Sequence, residues 1–139
     1  CLIRNMFFSG ASAAGGRAIY FEGTNGQGML VRDCDFGLNE THVEINGLNA
    51  PTVLFLDRSV LRGHTVTPFK AYNSSNILTR LILNTIGYQD LVLPVCTQFA
   101  SVRGLGATII SENCLLNVAQ TASGGFLINN GARIMSSLI

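Results

Sequence analysis

Five short segments of the chain alternate apolar and polar residues and then end at a residue that suits a sharp corner. They are Ile19-Tyr20-Phe21-Glu22-Gly23, Val43-Glu44-Ile45-Asn46-Gly47, Phe69-Lys70-Ala71-Tyr72-Asn73, Ala100-Ser101-Val102-Arg103-Gly104 and Phe126-Leu127-Ile128-Asn129-Asn130. Their first and third positions are apolar, which is the pattern of a strand with one buried face. The fifth position is Gly or Asn, the residues that most readily adopt a positive φ. The pattern predicts one buried column made of Phe21, Ile45, Ala71, Val102 and Ile128.

A second set of segments has an apolar residue, any residue, and then a small polar residue. These segments begin at Ile3, Val31, Phe55, Ile82 and Ile134, and Ile110 begins a variant with a larger acid. A further apolar residue follows in each complete copy: Phe7, Phe36, Val60, Ile86 and Leu115. Successive copies lie 24–28 residues apart. A unit of this length cannot bury its own apolar face, so the copies must stack on one another.

Stacked units with short strands and sharp corners predict an all-β parallel solenoid of about five coils. Leucine-rich repeats have a similar length but need an LxxLxLxxN frame, which this chain lacks. Few stretches carry the i, i+3, i+4 apolar spacing of a helix. With 139 residues, the chain is predicted to form one domain, 1–139, and its start at Cys1 leads us to expect a piece of a longer protein.

The composition of the chain argues against two classes of partner, nucleic acids and membranes. Charged residues make up 12% of the chain, and the net charge is +1 with one lysine, Lys70, so the basic patch of a nucleic-acid-binding protein is lacking. No apolar run reaches the roughly 18 residues of a transmembrane helix, so we predict no membrane insertion. The four cysteines show no metal-binding spacing, and we expect Cys34 and Cys114 to be core residues. We predict no metal and no cofactor.

The combined pattern resembles the right-handed parallel β-helix of the pectate-lyase-like superfamily over nearly the whole chain. The resemblance implies three stacked parallel sheets and an internal turn at which Asn5, Asp33, Asp57 and Asn84 form an asparagine ladder. Within that superfamily the chain is most similar to phage tailspike and tail-fibre proteins, which implies a homotrimer and a virion-tail or extracellular location. Polysaccharide lyases and glycosidases share the fold, so function has to be inferred from a site.

Three acids and two histidines are possible site residues away from the alternating segments. Asp33, Asp35 and Asp57 are close in sequence, but two of them fall at the predicted ladder position, so we expect a structural role. Cation binding or catalysis is the alternative. His42 begins an outward row and is expected to be solvated, and no role is expected for His64.

The polar positions of the alternating segments form two rows on the outside of one predicted sheet. One row is Tyr20, Glu44, Lys70, Ser101 and Leu127, and the other is Glu22, Asn46, Tyr72, Arg103 and Asn129. Aromatic rings stack on the apolar face of a sugar, and planar polar groups bond its hydroxyls. We therefore predict a carbohydrate-binding site made of Tyr20, Glu22, Glu44, Asn46, Lys70, Tyr72, Arg103 and Asn129. The alternative is a solvated face with a cross-strand Glu44–Lys70 pair.

Glu22 and Glu44 are the candidate catalytic residues. On adjacent coils their Cα atoms would lie roughly 8 Å apart, which suits the ~6.5–9.5 Å between carboxyls in inverting glycosidases. A lyase would instead use Lys70 or Arg103, and the galacturonase signatures of the superfamily are missing. We predict a tailspike-like module that recognises bacterial surface polysaccharide. The alternatives are a polysaccharide lyase or glycoside hydrolase, and a purely structural virion or stalk component.

Overall fold

The computed structural model describes residues 1–24, 26–64, 67–73, 77–89, 100–117, 126–129 and 133–136. These residues form sixteen β-strands and no helix. The strands are β1 (Leu2–Arg4), β2 (Phe7–Ser9), β3 (Arg17–Gly23), β4 (Gly28–Arg32), β5 (Asp35–Asn39), β6 (Thr41–Gly47), β7 (Thr52–Asp57), β8 (Val60–His64), β9 (Phe69–Asn73), β10 (Thr79–Asn84), β11 (Gly87–Gln89), β12 (Ala100–Arg103), β13 (Ala107–Glu112), β14 (Leu115–Asn117), β15 (Phe126–Asn129) and β16 (Arg133–Ser136).

The strands belong to three parallel sheets. Sheet A has the order β1-β4-β7-β10-β13-β16, sheet B the order β14-β11-β8-β5-β2, and sheet C the order β15-β12-β9-β6-β3. Consecutive strands therefore belong to different sheets, and the chain returns to each sheet one strand further along. This arrangement is a parallel β-solenoid and confirms the predicted fold class. In the described part of the chain, no helix is long and apolar enough to cross a membrane.

The predicted register of sheet C is confirmed. Phe21 pairs with Ile45, Ile45 with Ala71, and Ala71 with Val102. Ile128 takes the next place in the same column. The first four side chains are buried, so this column lines the interior of the solenoid.

The register predicted for sheet A is wrong by one residue near each end. Val31 pairs with Leu56 and not with Phe55, and Ile134 pairs with Ile109 and not with the following isoleucine. Leu56 is fully buried, whereas Phe55 is 44% exposed. The error has a physical cause: apolar residues occupy both faces of these strands, so hydrophobicity alone does not reveal which of two neighbours points inward.

In two strands of sheet B, β2 and β8, the prediction of which apolar residue is buried is also wrong by one residue. Phe7 and Val60 are exposed, with 67% and 41% of their surface accessible. Their neighbours Phe8 and Leu61 instead pair with Phe36, which is fully buried.

A positive φ recurs at the corner between sheets A and B. The residue directly after five of the sheet A strands has a φ between 43° and 55°: Asn5, Asp33, Arg58, Thr85 and Asn113. The predicted ladder is therefore corrected, because Asp57 and Asn84 lie one position earlier, at the ends of β7 and β10. A different ladder forms there: Asn84 Nδ2 donates to Asp57 Oδ1 at 2.9 Å, and Asn113 Nδ2 donates to Asn84 Oδ1 at 3.3 Å.

The corners after the sheet C strands need small residues mainly for space. A positive φ or a place at the corner was predicted for Gly23, Gly47 and Gly104. Only Gly104 has a positive φ, at 100°, and Gly23 and Gly47 are the last residues of β3 and β6. A Cβ at Gly23 would overlap the side chain of Thr52, and one at Gly47 would overlap that of Thr79. The predicted corner residue Asn73 ends β9, and Asn130 lies outside the described residues.

Two cysteines lie where the sequence predicts them. Cys34 is buried in the core, and Cys114 is partly buried against it. Both are free thiols. Their thiols donate to backbone carbonyls, Cys34 to Arg32 at 3.2 Å and Cys114 to Glu112 at 3.1 Å.

Candidate functional site

The register of sheet C brings the predicted site residues onto one outer face. In the first row Tyr20 pairs with Glu44, and Glu44 with Lys70. The second row continues over five strands as Glu22, Asn46, Tyr72, Arg103 and Asn129. The side chain of Asn129 lies outside the described residues. We call the outer surface of this sheet the sheet C face.

The two rows differ in accessibility. In the second row, Glu22 and Arg103 are exposed, and Asn46 and Tyr72 are half-buried. In the first row, Tyr20 is 44% exposed, but Glu44 is only 4% exposed and Ser101 only 1%. The described side chains of this face that a ligand can reach are therefore Tyr20, Glu22, Asn46, Lys70, Tyr72 and Arg103.

Tyr20, Glu22 and Asn46 form a hydrogen-bonded group at one end of this surface. Tyr20 Oη donates to Glu22 Oε2 at 2.5 Å, and Asn46 Nδ2 donates to Tyr20 Oη at 3.5 Å. The bond to the Glu22 carboxylate raises the pKa of Tyr20, because that bond requires the hydroxyl proton, and the Asn46 amide acts in the opposite direction. The group fixes the plane of an exposed ring and leaves polar atoms beside it.

Arg17 completes this group and was missed by the sequence pattern. Its guanidinium lies 4.7 Å from the centre of the Tyr20 ring, a cation–π arrangement, and its Nε lies 2.7 Å from Glu44 Oε2. Arg17 stands two residues before Ile19, so alternation would place it inside the solenoid. A charged residue at an inward position, at the very start of a strand, is the signal that could have identified it.

Glu44 is buried beneath the accessible side chains of the sheet C face and pairs with two cations. Its side chain is 5% exposed, and its carboxylate lies between Arg17 and Lys70, whose Nζ is 4.0 Å away. The cross-strand pair that the sequence offered as an alternative is thus present. A general acid or base has to reach the substrate within hydrogen-bonding distance, and a carboxylate covered by two cations is poorly placed to do so.

Tyr72 and Arg103 form the other end of the accessible surface. The Arg103 guanidinium lies 5.2 Å from the centre of the Tyr72 ring. Within the described ranges no carboxylate lies within ion-pair distance of Arg103. Its planar N–H donors therefore remain available at the surface beside an aromatic ring.

His42 is not part of this face, and the expectation that it is solvated is wrong. It is fully buried, with its ring 5.8 Å from that of Phe36 and its Nδ1 3.2 Å from Asn39 Nδ2. The amides of both His42 and Val43 point to the carbonyl of Pro68, each at 3.0 Å. Two residues opposite one carbonyl break the strand alternation, as in a β-bulge, and this turns His42 inward.

The three acids outside the alternating segments each have basic or amide partners. Asp33 accepts two hydrogen bonds of 2.9 Å from Arg58, which lowers its pKa from the ordinary value. Asp57 is bonded in the ladder, and Asp35 lies 3.6 Å from Arg62. These contacts agree with the expected structural role. No group of three or more His, Cys, Asp or Glu in the described ranges could hold a metal ion, and the side chain of His64 lies outside them.

Comparison of the chain with protein-family models, with curated proteins and with solved structures found no match. The observed fold is a parallel β-solenoid, a fold that serves several unrelated functions. Function must therefore be inferred from the sheet C face itself.

Proposed function

We propose that this chain is a tailspike-like solenoid module that binds polysaccharide through the sheet C face, at an extracellular or virion-tail location. The observation that carries the proposal is the pairing of two aromatic rings, each held by a guanidinium, with a hydrogen-bonded carboxylate and amide on the same face. The rings offer flat apolar surface, and the polar groups around them offer donors and acceptors.

The shape of the face favours an extended ligand. Both clusters stand on strands of one sheet, which hold side chains more firmly than loops do. Five parallel strands at ~4.8 Å each give a track of roughly 20 Å along the solenoid. Such a track fits several sugar units of a polymer better than a single sugar, which would be expected to occupy a closed pocket.

The geometry supports recognition rather than cleavage. Of the two candidate catalytic residues, Glu44 is paired with Arg17 and Lys70, and Glu22 accepts a hydrogen bond from the Tyr20 hydroxyl. The same contacts occupy Lys70, a candidate base for a lyase. An enzyme would lose turnover by orders of magnitude in Glu22→Gln or Glu44→Gln while keeping its ligand. We expect the parent chain to show no turnover.

The test is binding to a panel of purified bacterial surface polysaccharides. We expect at least one of them to bind, and we expect Tyr72→Ala and Arg103→Ala each to weaken binding at least about tenfold, or about 1.4 kcal/mol. Both side chains lie on the outer face, so their removal leaves the core intact. Thermal melting will check that each variant is folded.

Matched substitutions on another face provide the control. Phe7→Ala and Arg62→Ala remove an aromatic and a cationic side chain from exposed positions of sheet B, which takes part in neither proposed surface. Both variants are expected to bind polysaccharide as the parent does. If no polysaccharide binds, or if the sheet B variants lose as much affinity as the sheet C variants, the proposal fails and a purely structural role is left.

A further inference from the structure

An apolar row runs along the outer face of sheet A. Register places one outward residue from each of five neighbouring strands, β1 to β13, in line, and the row consists of Leu2, Leu30, Phe55, Ile82 and Ile110. Leu2 is 53% exposed and Phe55 is 44% exposed, and the other three are half-buried. Single exposed apolar residues are ordinary, but a continuous row of them marks an interaction surface.

A groove lies along this row where β4 pairs with β7. Gly28, which has no side chain, pairs with Val53, and the open space beside them reaches Leu30 and Phe55. The groove is shallow, has a volume of about 260 Å³ and is lined mainly by apolar atoms. An apolar side chain from another surface would fit into it.

Charge along the edge of the row indicates what that other surface is. Arg4 ends β1, and Glu112 ends β13; both are exposed, and neither forms an ion pair with another described residue. Between them Arg32 is paired with Asp33 at 3.3 Å, and Arg58 lies 3.9 Å from Asp57. The edge is therefore positive at one end, neutral in the middle and negative at the other end.

We propose that the outer face of sheet A binds a second copy of this chain, with the two solenoids antiparallel about a two-fold axis at Phe55. This axis brings Phe55 against its own counterpart and Leu30 against Ile82. It also brings Arg4 of each copy to Glu112 of the other. The apolar row and the charged edge are then each complementary to themselves, as a two-fold interface requires, and Arg80 of each copy lies over Gly28 of the other.

The size of the face sets the expected strength. Six strands at ~4.8 Å and about five residues at ~3.3 Å give roughly 500 Å² on each copy, or about 1,000 Å² in total. This is the lower limit for a specific interface, so the dimer is expected to be weak and to depend on the concentration of the chain.

The first test is sedimentation of the parent chain across a concentration series. We expect a monomer–dimer equilibrium that Phe55→Ser weakens at least about tenfold. Phe7→Ser is the matched control, because Phe7 is 67% exposed but stands on sheet B, and it should leave the equilibrium unchanged. A parent chain that stays monomeric at about 100 µM overturns the proposal, and so does an equal effect of the two variants.

The second test is a charge exchange. Arg4→Glu alone and Glu112→Arg alone are each expected to weaken the dimer several-fold, because each brings like charges together. The double variant restores opposite charges across the interface and should dimerise like the parent. A double variant that is as weak as the single variants contradicts the antiparallel arrangement.

Cysteine crosslinking fixes the direction of packing. The cysteine variants are made in a Cys1→Ser background, and the chain with Cys1→Ser alone is the control. In this background Phe55→Cys should form a disulfide with its own counterpart under mild oxidation. Ile110→Cys should not crosslink with itself but should crosslink with a Leu2→Cys chain. A parallel packing, including the trimer that the family resemblance implies, would crosslink Ile110→Cys with itself and would overturn the proposal.

Discussion

The outer faces of sheets A and C use the same backbone for different surfaces. Both sheets point alternate residues into one core, and those inward rows are apolar and buried on both. Outward, sheet A presents the apolar row centred on Phe55, whereas sheet C presents Tyr20, Tyr72 and polar groups. Because the inward rows supply the hydrophobic core of both sheets, the outward rows can differ and serve separate functions.

The first and largest effect tests whether the apolar row of sheet A is surface or core. Leu56→Ala should lower the free energy of unfolding by about 2–5 kcal/mol, because Leu56 is fully buried and its loss leaves a cavity. Phe55→Ala, one residue earlier, removes a larger side chain from the outer face and should cost less than about 1 kcal/mol. Urea unfolding of both variants measures the difference. Equal losses would mean that sheet A has no true outer face.

The next effect concerns the corner that leads from sheet C to sheet A. Gly47→Ala should cost about 1–3 kcal/mol, because the new Cβ overlaps the Thr79 side chain. Thr79→Ala removes the overlapping hydroxyl, so the substitution at Gly47 should cost clearly less in that background. If the two costs simply add, crowding by Thr79 is not the reason for glycine at this corner.

A smaller effect, of opposite sign, is expected where sheet A turns into sheet B. Thr85 is a β-branched residue at a φ of 53°, and Asn113 occupies the same corner one coil later at 52°. Thr85→Asn should therefore stabilise the chain by about 1 kcal/mol, since Asn tolerates this conformation better. Asn113→Thr should cost at least as much, because it also removes the bond that Asn113 Nδ2 donates to Asn84 Oδ1. Thermal melting of the two variants should show shifts in opposite directions.

The smallest effect is the pH dependence of the exposed Asp33–Arg58 pair beside the sheet A face. Arg58 holds the pKa of Asp33 below its ordinary value in the folded chain. The pair therefore stabilises the fold above about pH 4 and is lost as the pH falls through the lowered folded-state pKa.

The free energy of unfolding, measured at about pH 6 and about pH 3, should consequently fall more in the parent than in Asp33→Asn. Asn keeps the positive φ that Asp33 adopts, so the variant removes the charge without changing the corner. An identical fall in both proteins would show that this pair contributes nothing to stability.

Alternation explains how far the sequence could predict this molecule. In sheet C the outward positions are polar, so the inward column through Ile45 and the facing rows were predicted in the correct register. In sheet A apolar residues such as Phe55 and Leu56 stand side by side, and periodicity alone could not separate the two faces. The outer surface that misled the sequence prediction is the one for which we propose a partner.

Two features of the sheet C region depend on three-dimensional packing and not on pattern. Arg17 turns outward to Glu44 although its position in the alternation is inward. His42 turns inward because its amide and that of Val43 share the Pro68 carbonyl. Both departures occur at the start of a strand, where the alternation of side chains is least constrained by neighbouring strands.

The most direct test of separate functions on the two faces is to measure both properties in the same two variants. Dimerisation and affinity for a bound oligosaccharide, too short to bridge two copies, would be compared in Phe55→Ser and Arg103→Ala. We expect Phe55→Ser to weaken dimerisation at least about tenfold with unchanged affinity for the sugar, and Arg103→Ala to do the reverse. A variant that lowers both properties together, while remaining folded, would contradict separate functions on the two faces.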